Sequence, residues 1–343
     1  MTADAVGGVW TYATELRAAL RAAGVDVLLV TLGPAPPPDA ASPYLPCRLE
    51  WQPDPWEDVR DSGRRLLELA AEARPDVVHL NGFAHAALPW RAPVVVAAHS
   101  CVASWHEAVR GAPAGPEWAR YREAVARGLR AADAVVAPTA AMRAALRRHH
   151  GLARGCSVFH NGVSPHPGGA QARRPLVLAA GRLWDAAKGL DALDRAAARI
   201  SWPVAVAGDA GGLAARHVEL LGVLERDELR RRMGQAAIFA HPARYEPFGL
   251  VVLEAALAGC ALVLGDIPSL RELWDGAALF VAPGDPEALA GACERLVADE
   301  PLRGRFAWRA RERAGRYDAA RMAARYTHLY ERLHDHHRRA VAA

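Results

Sequence analysis

Ile238-Phe-Ala-His-Pro-Ala-Arg-Tyr-Glu-Pro-Phe-Gly-Leu-Val-Val-Leu-Glu-Ala-Ala-Leu-Ala-Gly-Cys-Ala-Leu-Val-Leu264 runs from one apolar segment, through a turn-rich loop and a helical stretch, into a second apolar segment. Continuous Val/Ile/Leu runs that do not alternate with polar residues read as parallel strands covered on both faces. The stretch between two such runs is then a crossover helix. The same alternation recurs on both sides of this stretch. In the second half of the chain it predicts strands at Leu176–Ala180, Val204–Ala207, Ile238–His241, Ala261–Leu264 and Ala278–Val281. In the first half it predicts them at Val25–Val30, Val77–Leu80, Pro93–Ala98 and Ala134–Ala137. The fold class is therefore α/β, with two doubly wound parallel sheets.

Length agrees, because single hydrophobic cores stop growing at roughly 250 to 300 residues and this chain has 343. The richest cluster of turn formers, Asn161 to Pro175, marks the boundary between the halves and the natural hinge. The expected division is 1–163, 164–316, and a closing helix and tail at 317–343. That last helix carries Met322, Tyr326, Leu329, Tyr330 and Leu333 at helical spacing, a packing stripe. The Pro-rich Gly33–Pro46 segment reads as a loop at the mouth of the first domain, serving an acceptor. At the start, Gly7-Gly8 leads into an amphipathic helix, Trp10 to Arg21, with almost no apolar strand before it. Such a strand normally sits mid-sheet, where an empty slot would leave backbone groups unpaired. Either the native chain begins earlier or Met1–Ala5 supplies a short substitute.

Composition excludes several classes. Lys and Arg total 42 against 38 Asp and Glu, a net charge of +4 that suits anionic metabolites and is too dispersed for nucleic acid. Five cysteines, odd in number and without a C-x-x-C pair, read as reduced core residues. With no leader pattern and no apolar run of roughly 18 residues, the expectation is a cytoplasmic enzyme. The His334–Arg339 run reads as a solvated helix end in preference to a membrane or metal contact.

The chemistry concentrates in the second half. Glu246 and Glu254 lie eight positions apart across the loop-to-helix junction, with the backbone amides of Phe248, Gly249 and Leu250 between them. Amides at a helix start have no intrahelical partner and sit at the positive end of the dipole, so they suit a diphosphate. Gly249 lets that backbone approach closely. Glu254 lies among Val251, Val252, Ala255 and Leu257, where a carboxylate needs a partner. A ribose diol is one candidate and an arginine the other. Glu246 would face the sugar. Arg182 and Lys188, six apart around a strand-to-helix turn between Gly181 and Gly189, can converge on the same diphosphate. In the first half, Gly8 opens a helix and His99 ends a strand, positions that line the crevice of an open α/β sheet. His99 is read as donating to a sugar hydroxyl or polarising the site. His79, Asn81 and His85 near a neighbouring strand end are read as acceptor contacts.

Taken together, these residues resemble the retaining glycosyltransferases of family four and their Glu-x7-Glu signature. Leu178–Leu190 is similar to that family's diphosphate segment, and Val218–Leu224 to its nucleobase-side loop. Ile267–Gly276, Pro283–Leu289, Gly7-Gly8, Asp76–His79, His99 and Asn161–Val163 match its order. The resemblance implies a GT-B fold: two Rossmann-like domains facing a cleft, the C-terminal helix packing back toward the first. It implies transfer of a sugar, with retention, from a nucleoside diphosphate sugar to a small-molecule, glycan or lipid acceptor. Glu246, His99, Arg182 and Lys188 would act at the reacting centre. Gly8, Arg182, Lys188, Phe248, Gly249 and Leu250 would hold the diphosphate, Glu254 the ribose, and Val223 and Leu224 the base. No cofactor and no metal is expected, since fixed cations and helix amides can take the charge and no Asp-x-Asp pair is present. A non-hydrolysing sugar-nucleotide epimerase and a catalytically silent binding protein are the competing readings.

Overall fold

The computed structural model describes residues 1–5, 7–37, 42–152, 155–164 and 172–342. It divides into two compact units, Met1–Gly162 with Ala319–Ala343, and Val163–Asp318.

The second unit is built on a six-stranded parallel sheet. Its strands are β8 (Arg174–Ala180), β9 (Val204–Ala207), β10 (Glu219–Gly222), β11 (Ala236–His241), β12 (Ala261–Gly265) and β13 (Leu279–Val281), in the order β10-β9-β8-β11-β12-β13. Every residue of β9, β11 and β12 is buried, as non-alternating runs require. Val177, Val206, Ile238 and Val263 pack one core with Leu193, Leu289 and Leu296 from the covering helices. The chain leaves β8 toward β9 and returns on the other side at β11. The strand order thus reverses between β8 and β11, and ligands of open α/β sheets bind outside the carboxyl ends at such a point.

Among the described residues, the first unit contains seven parallel strands in two hydrogen-bonded ladders. One comprises β1 (Thr2–Asp4), β2 (Val30–Gly33) and β3 (Tyr44–Pro46); the other comprises β4 (Val78–Leu80), β5 (Val94–Ala97), β6 (Ala134–Ala137) and β7 (Cys156–Val158). The short strand expected at Met1–Ala5 is β1, paired in parallel with β2. On its other side the Asn81 side chain spans to β4: its Nδ2 donates to the Thr2 carbonyl at 2.6 Å, and the Asn81 backbone N–H donates to Thr2 Oγ1 at 3.1 Å. The helix Ala319–Ala342 packs on the helix Gly8–Ala22, with Met322, Tyr326 and Leu329 buried.

Three readings need correction. The strand placed at Val25–Val30 is β2 at Val30–Gly33, because parallel pairing to Thr2–Asp4 begins only at Val30, the last residue of the apolar run. Within the Gly33–Pro46 loop, Tyr44–Pro46 pairs with β2 as an edge strand, where a terminal proline is tolerated; residues 38–41 lie outside the described residues. The Val218–Leu224 loop contains β10, which pairs with β9. The middle of the expected hinge, residues 165–171, also lies outside the described residues. Four of the five cysteines are buried and Cys47 is half-buried, all unbridged. Among the described residues, no helix is long and apolar enough to cross a membrane.

Candidate functional site

At the reversal point of the second unit, two loops are tied together by their own backbones. After β8 the chain passes through Gly181 into a short 3-10 turn, Ala186–Lys188, whose Asp185 side chain accepts from the Ala187 N–H at 3.0 Å. The turn is pinned toward β9 by the Leu183 N–H, which donates to the Asp209 carbonyl at 2.8 Å. Toward β11 it is pinned by the Arg244 N–H, which donates to the Ala187 carbonyl at 2.8 Å. The Arg244 guanidinium adds a bond to the Ala186 carbonyl and a two-pronged grip on Asp191. Gly189, at φ 71°, lies so close to the Pro242 carbonyl that a Cβ would stand 2.7 Å from it. That approach brings the two loops into register.

The consequence is the contact between Lys188 and Glu246. Lys188 Nζ donates to Glu246 Oε2 at 2.8 Å, and His241 Nε2 lies 3.3 Å from the same oxygen. Both members of the ion pair keep only 14% of their side-chain surface exposed. Burial alone would raise the Glu246 pKa. The Lys188 ammonium and the His241 hydrogen bond outweigh it and hold the carboxyl well below its ordinary range. The Ser269 hydroxyl donates to the Glu246 carbonyl and fixes the loop backbone. A small cleft lined by Ala180, Lys188, Ala240, His241 and Pro242 opens beside them.

Arg182 sits on the same turn as Lys188, 3.8 Å from Asp185 Oδ2 and 5.5 Å from the Trp184 ring centre, with 37% of its side chain exposed. Gly249, at φ 86°, precedes the helix Leu250–Leu257. The amides of Phe248, Gly249 and Leu250 thus stand at a helix start, as the spacing predicted. Glu254, one turn further along, meets the arginine alternative directly. Its Oε1 accepts from Arg226 Nε at 3.0 Å, from an Arg226 terminal nitrogen at 2.9 Å and from Arg230 at 3.1 Å. The partner that burial demands is supplied by the helix Arg226–Gln235, so burial no longer argues for a ribose. Val223, 76% exposed, and Leu224 lie between β10 and that helix.

In the first unit, His99 follows β5. Its Nε2 lies 2.8 Å from Asn81 Oδ1, and its ring meets Tyr12 edge-on at 4.4 Å. Burial lowers its pKa to about 4. His79 is not an accessible acceptor contact. It is 3% exposed, with Nδ1 2.5 Å from the Tyr330 hydroxyl and Nε2 3.4 Å from that of Tyr12. Asn81 and His85 do line an open pocket, together with Asp4, Glu50 and Trp51. Gly8 begins its helix after Gly7 at φ 79°.

Sequence reasoning missed His241, Arg226 and Arg230. His241 had a usable signal, since it ends a strand as His99 does. The arginines had none beyond their four-residue spacing.

Residues 6–166 match the family model described as Glycosyltransferase Family 4, and residues 174–299 match Glycosyl transferases group 1. The chain is a glycosyltransferase of the family 4 type. This glycosyltransferase is 34% identical to the phosphatidyl-myo-inositol mannosyltransferase of Mycolicibacterium smegmatis over 36% of its own length and 32% of that protein's. The match therefore spans about a third of that relative. It is 28% identical to the glycogen synthase of Mycobacterium tuberculosis, covering 90% of this chain and 86% of the synthase. Among solved structures, sucrose-phosphate synthase from Thermosynechococcus elongatus superposes with a TM-score of 0.79 at 20% identity, over 97% of this glycosyltransferase and 95% of that chain. The fold of the family 4 chain is accordingly GT-B.

Proposed function

We propose that this protein transfers a sugar from a nucleoside diphosphate sugar to a hydroxyl acceptor, with retention at the anomeric carbon and without a metal ion. The observation that carries the reading is the Lys188–Glu246 pair, held at the strand-order reversal beside a helix start. The names of the relatives, two synthases and a mannosyltransferase, support it.

In the proposed reaction the diphosphate lies against the helix start before Leu250, with Arg182 and Lys188 as its cations. As the bond from the anomeric carbon to the diphosphate oxygen breaks, negative charge grows on that oxygen. Fixed cations and amides in a water-poor site stabilise it by several kcal/mol. Glu246, anionic across the working pH range, holds Lys188 in place before the donor arrives and offers an acceptor to sugar hydroxyls. The departing phosphate oxygen accepts the proton of the incoming acceptor hydroxyl, whose oxygen bonds to the anomeric carbon on the same face. For the first unit we assign Gly8 and His99 to ligand contacts and the pocket beside Asn81 to the acceptor, for which a polyol, a glycan or a lipid headgroup remain candidates.

The test incubates the protein with UDP-, GDP- and ADP-sugars and a panel of acceptors, following both nucleoside diphosphate release and the configuration of the new glycosidic bond. Release coupled to an α-linked product from an α-linked donor is expected. Isomerised donor with no product would replace transfer by epimerisation, and tight binding with no release would leave a silent binding protein. Activity is expected to be unchanged after exhaustive treatment with a chelator, and loss that a divalent cation restores would end the metal-independent reading.

Glu254 gives a separate expectation. In Glu254→Gln the affinity for a ribonucleoside diphosphate falls about 10- to 100-fold, the worth of charged hydrogen bonds to a diol, while inorganic pyrophosphate binds as before. Calorimetry with the two ligands decides it. Equal loss for both would place Glu254 in the scaffold, acting only as the partner of Arg226 and Arg230.

A further inference from the structure

In the first unit the strand order reverses between β1 and β4, and the side chain that bridges those two strands is also the one that touches His99. Asn81 Nδ2 lies 2.6 Å from the Thr2 backbone carbonyl. A carbonyl only accepts, so that terminal atom of Asn81 must be the nitrogen. A flipped amide would set oxygen against oxygen. The other terminal atom is then the oxygen, and it faces His99 Nε2 at 2.8 Å. An amide oxygen only accepts, so the imidazole nitrogen facing it must carry a hydrogen. The Thr2 hydroxyl fixes the Asn81 backbone from the same strand, at 3.1 Å from its N–H, and the Tyr12 ring limits rotation of the imidazole. The whole chain, from the Thr2 carbonyl through the amide to the ring, allows one arrangement of hydrogens.

We infer that Asn81 is a positioning residue that locks His99 in its Nε2–H tautomer, leaving Nδ1 as a bare acceptor for a substrate hydroxyl. His99 then receives a hydrogen from its ligand and does not donate one. This corrects the expectation that it donates to a sugar hydroxyl. Among the described residues Nδ1 has no hydrogen-bond partner. Burial disfavours the imidazolium, so the ring keeps one donor and one acceptor at neutral pH. A hydroxyl that gives its hydrogen to Nδ1 has its own oxygen lone pairs left for other donors. The consequence for catalysis rests on the proposed transfer reaction, whereas the tautomer does not.

The experiment uses full-length protein labelled with ¹⁵N at histidine, with His99 assigned by its disappearance in His99→Gln, and long-range ¹H–¹⁵N correlation at pH 7. In the wild type, Nε2 is expected to resonate as a pyrrole-type N–H and Nδ1 as a pyridine-type nitrogen. In Asn81→Ala the two signals move toward each other as the tautomers mix. In Asn81→Asp, whose carboxylate still accepts from Nε2, the Nε2–H pattern persists and the pH midpoint of His99 rises. A wild-type Nδ1–H pattern overturns the inference, as does an unchanged pattern in Asn81→Ala. Should Asn81→Ala not fold, the wild-type pattern and the Asn81→Asp midpoint decide by themselves. Transfer assays on the same variants form the second arm. Asn81→Ala lowers kcat about tenfold, one hydrogen bond's worth, with little change in donor KM, and Asn81→Asp restores part of it. An absence of transfer in the wild type with the tautomer confirmed would defeat the proposed function alone. Undiminished transfer in Asn81→Ala with the tautomer lost would show that the lock has no part in the reaction.

Discussion

Lys188→Ala reduces sugar transfer by about 10²- to 10³-fold, the loss expected when one preorganised stabiliser of a developing anion is removed. The variant also loses stability, because Glu246 stays behind in a site where only 14% of its side chain is exposed. Breaking a buried pair costs about 3 kcal/mol, at the low end because His241 remains on the same oxygen. The two losses have different origins and can be separated. In the double variant Lys188→Met, Glu246→Gln no buried charge is left unpaired. Most of the stability returns and transfer does not. Thermal melts of the wild type, Lys188→Met, Glu246→Gln and the double variant, alongside donor turnover, measure both quantities. Wild-type turnover in Lys188→Ala with the preferred donor would remove the lysine, and with it the electrostatic argument.

The pH dependence follows with a definite sign. Folding depresses the Glu246 pKa from its ordinary value of 4.5. The carboxylate's contribution to stability is therefore present in full above about pH 4.5 and is lost as the pH falls from there toward the depressed folded value. In Lys188→Ala the largest remaining influence is burial, which raises the pKa. The sign inverts, and the variant should lose stability as the pH rises from about 4.5 toward the raised folded value. Melting temperature against pH from 3 to 7 for the two proteins gives curves of opposite slope if the ammonium sets the ionisation.

The second unit was the more legible in sequence because its strands are buried on both faces, and such strands cannot hide among polar residues. Ile238–His241 and Ala261–Leu264 were placed to within a residue or two of β11 and β12. The edge strands β3, β7 and β10 escaped for the complementary reason. Glu219, Leu220 and Gly222 are exposed or half-buried, so no apolar run marks them. The site shows the same division. Lys188 and Glu246 were named from a turn and a loop 58 positions apart, and what unites them is not in either segment. It is the parallel register of β8 and β11 and the Arg244 N–H on the Ala187 carbonyl. The partner of Glu254 was the hardest to see. A buried carboxylate announces that it needs a donor and says nothing of where the donor comes from; two arginines on a helix earlier in the chain answer as well as a ligand does.

Gly208→Ala should be the most destabilising small change in the second unit. Gly208 follows β9 at φ 138°, and a Cβ built there stands 1.8 Å from the Gly181 carbonyl oxygen. Backbone cannot swing aside as a side-chain tip can, so β8 and β9 must part at the point where the Gly181 N–H bonds the Ala207 carbonyl at 3.0 Å. Overpacking of this kind costs about 3 kcal/mol or more, and each kcal/mol lowers Tm by roughly 2 to 4 °C for a unit of this size, giving a drop of about 10 °C. Two other glycines calibrate the argument. Gly212, at φ 83° with open space around it, carries only the left-handed backbone cost of about 1 to 2 kcal/mol when replaced by alanine. Gly291, inside the helix Pro286–Ala298 with nothing near its Cβ position, gains about 0.5 to 1 kcal/mol. The ordering Gly291→Ala above wild type, then Gly212→Ala, then Gly208→Ala follows from close approach and backbone angle alone. Parting β8 from β9 also shifts the turn that carries Arg182 and Lys188, and a displacement of roughly 1 Å can cost 10²-fold in rate. Residual Gly208→Ala protein, assayed below its melting point, should therefore bind donor weakly and transfer slowly. A Gly208→Ala protein that melts with Gly212→Ala would mean that the β8–β9 contact yields easily, and the turn could not then owe its position to it.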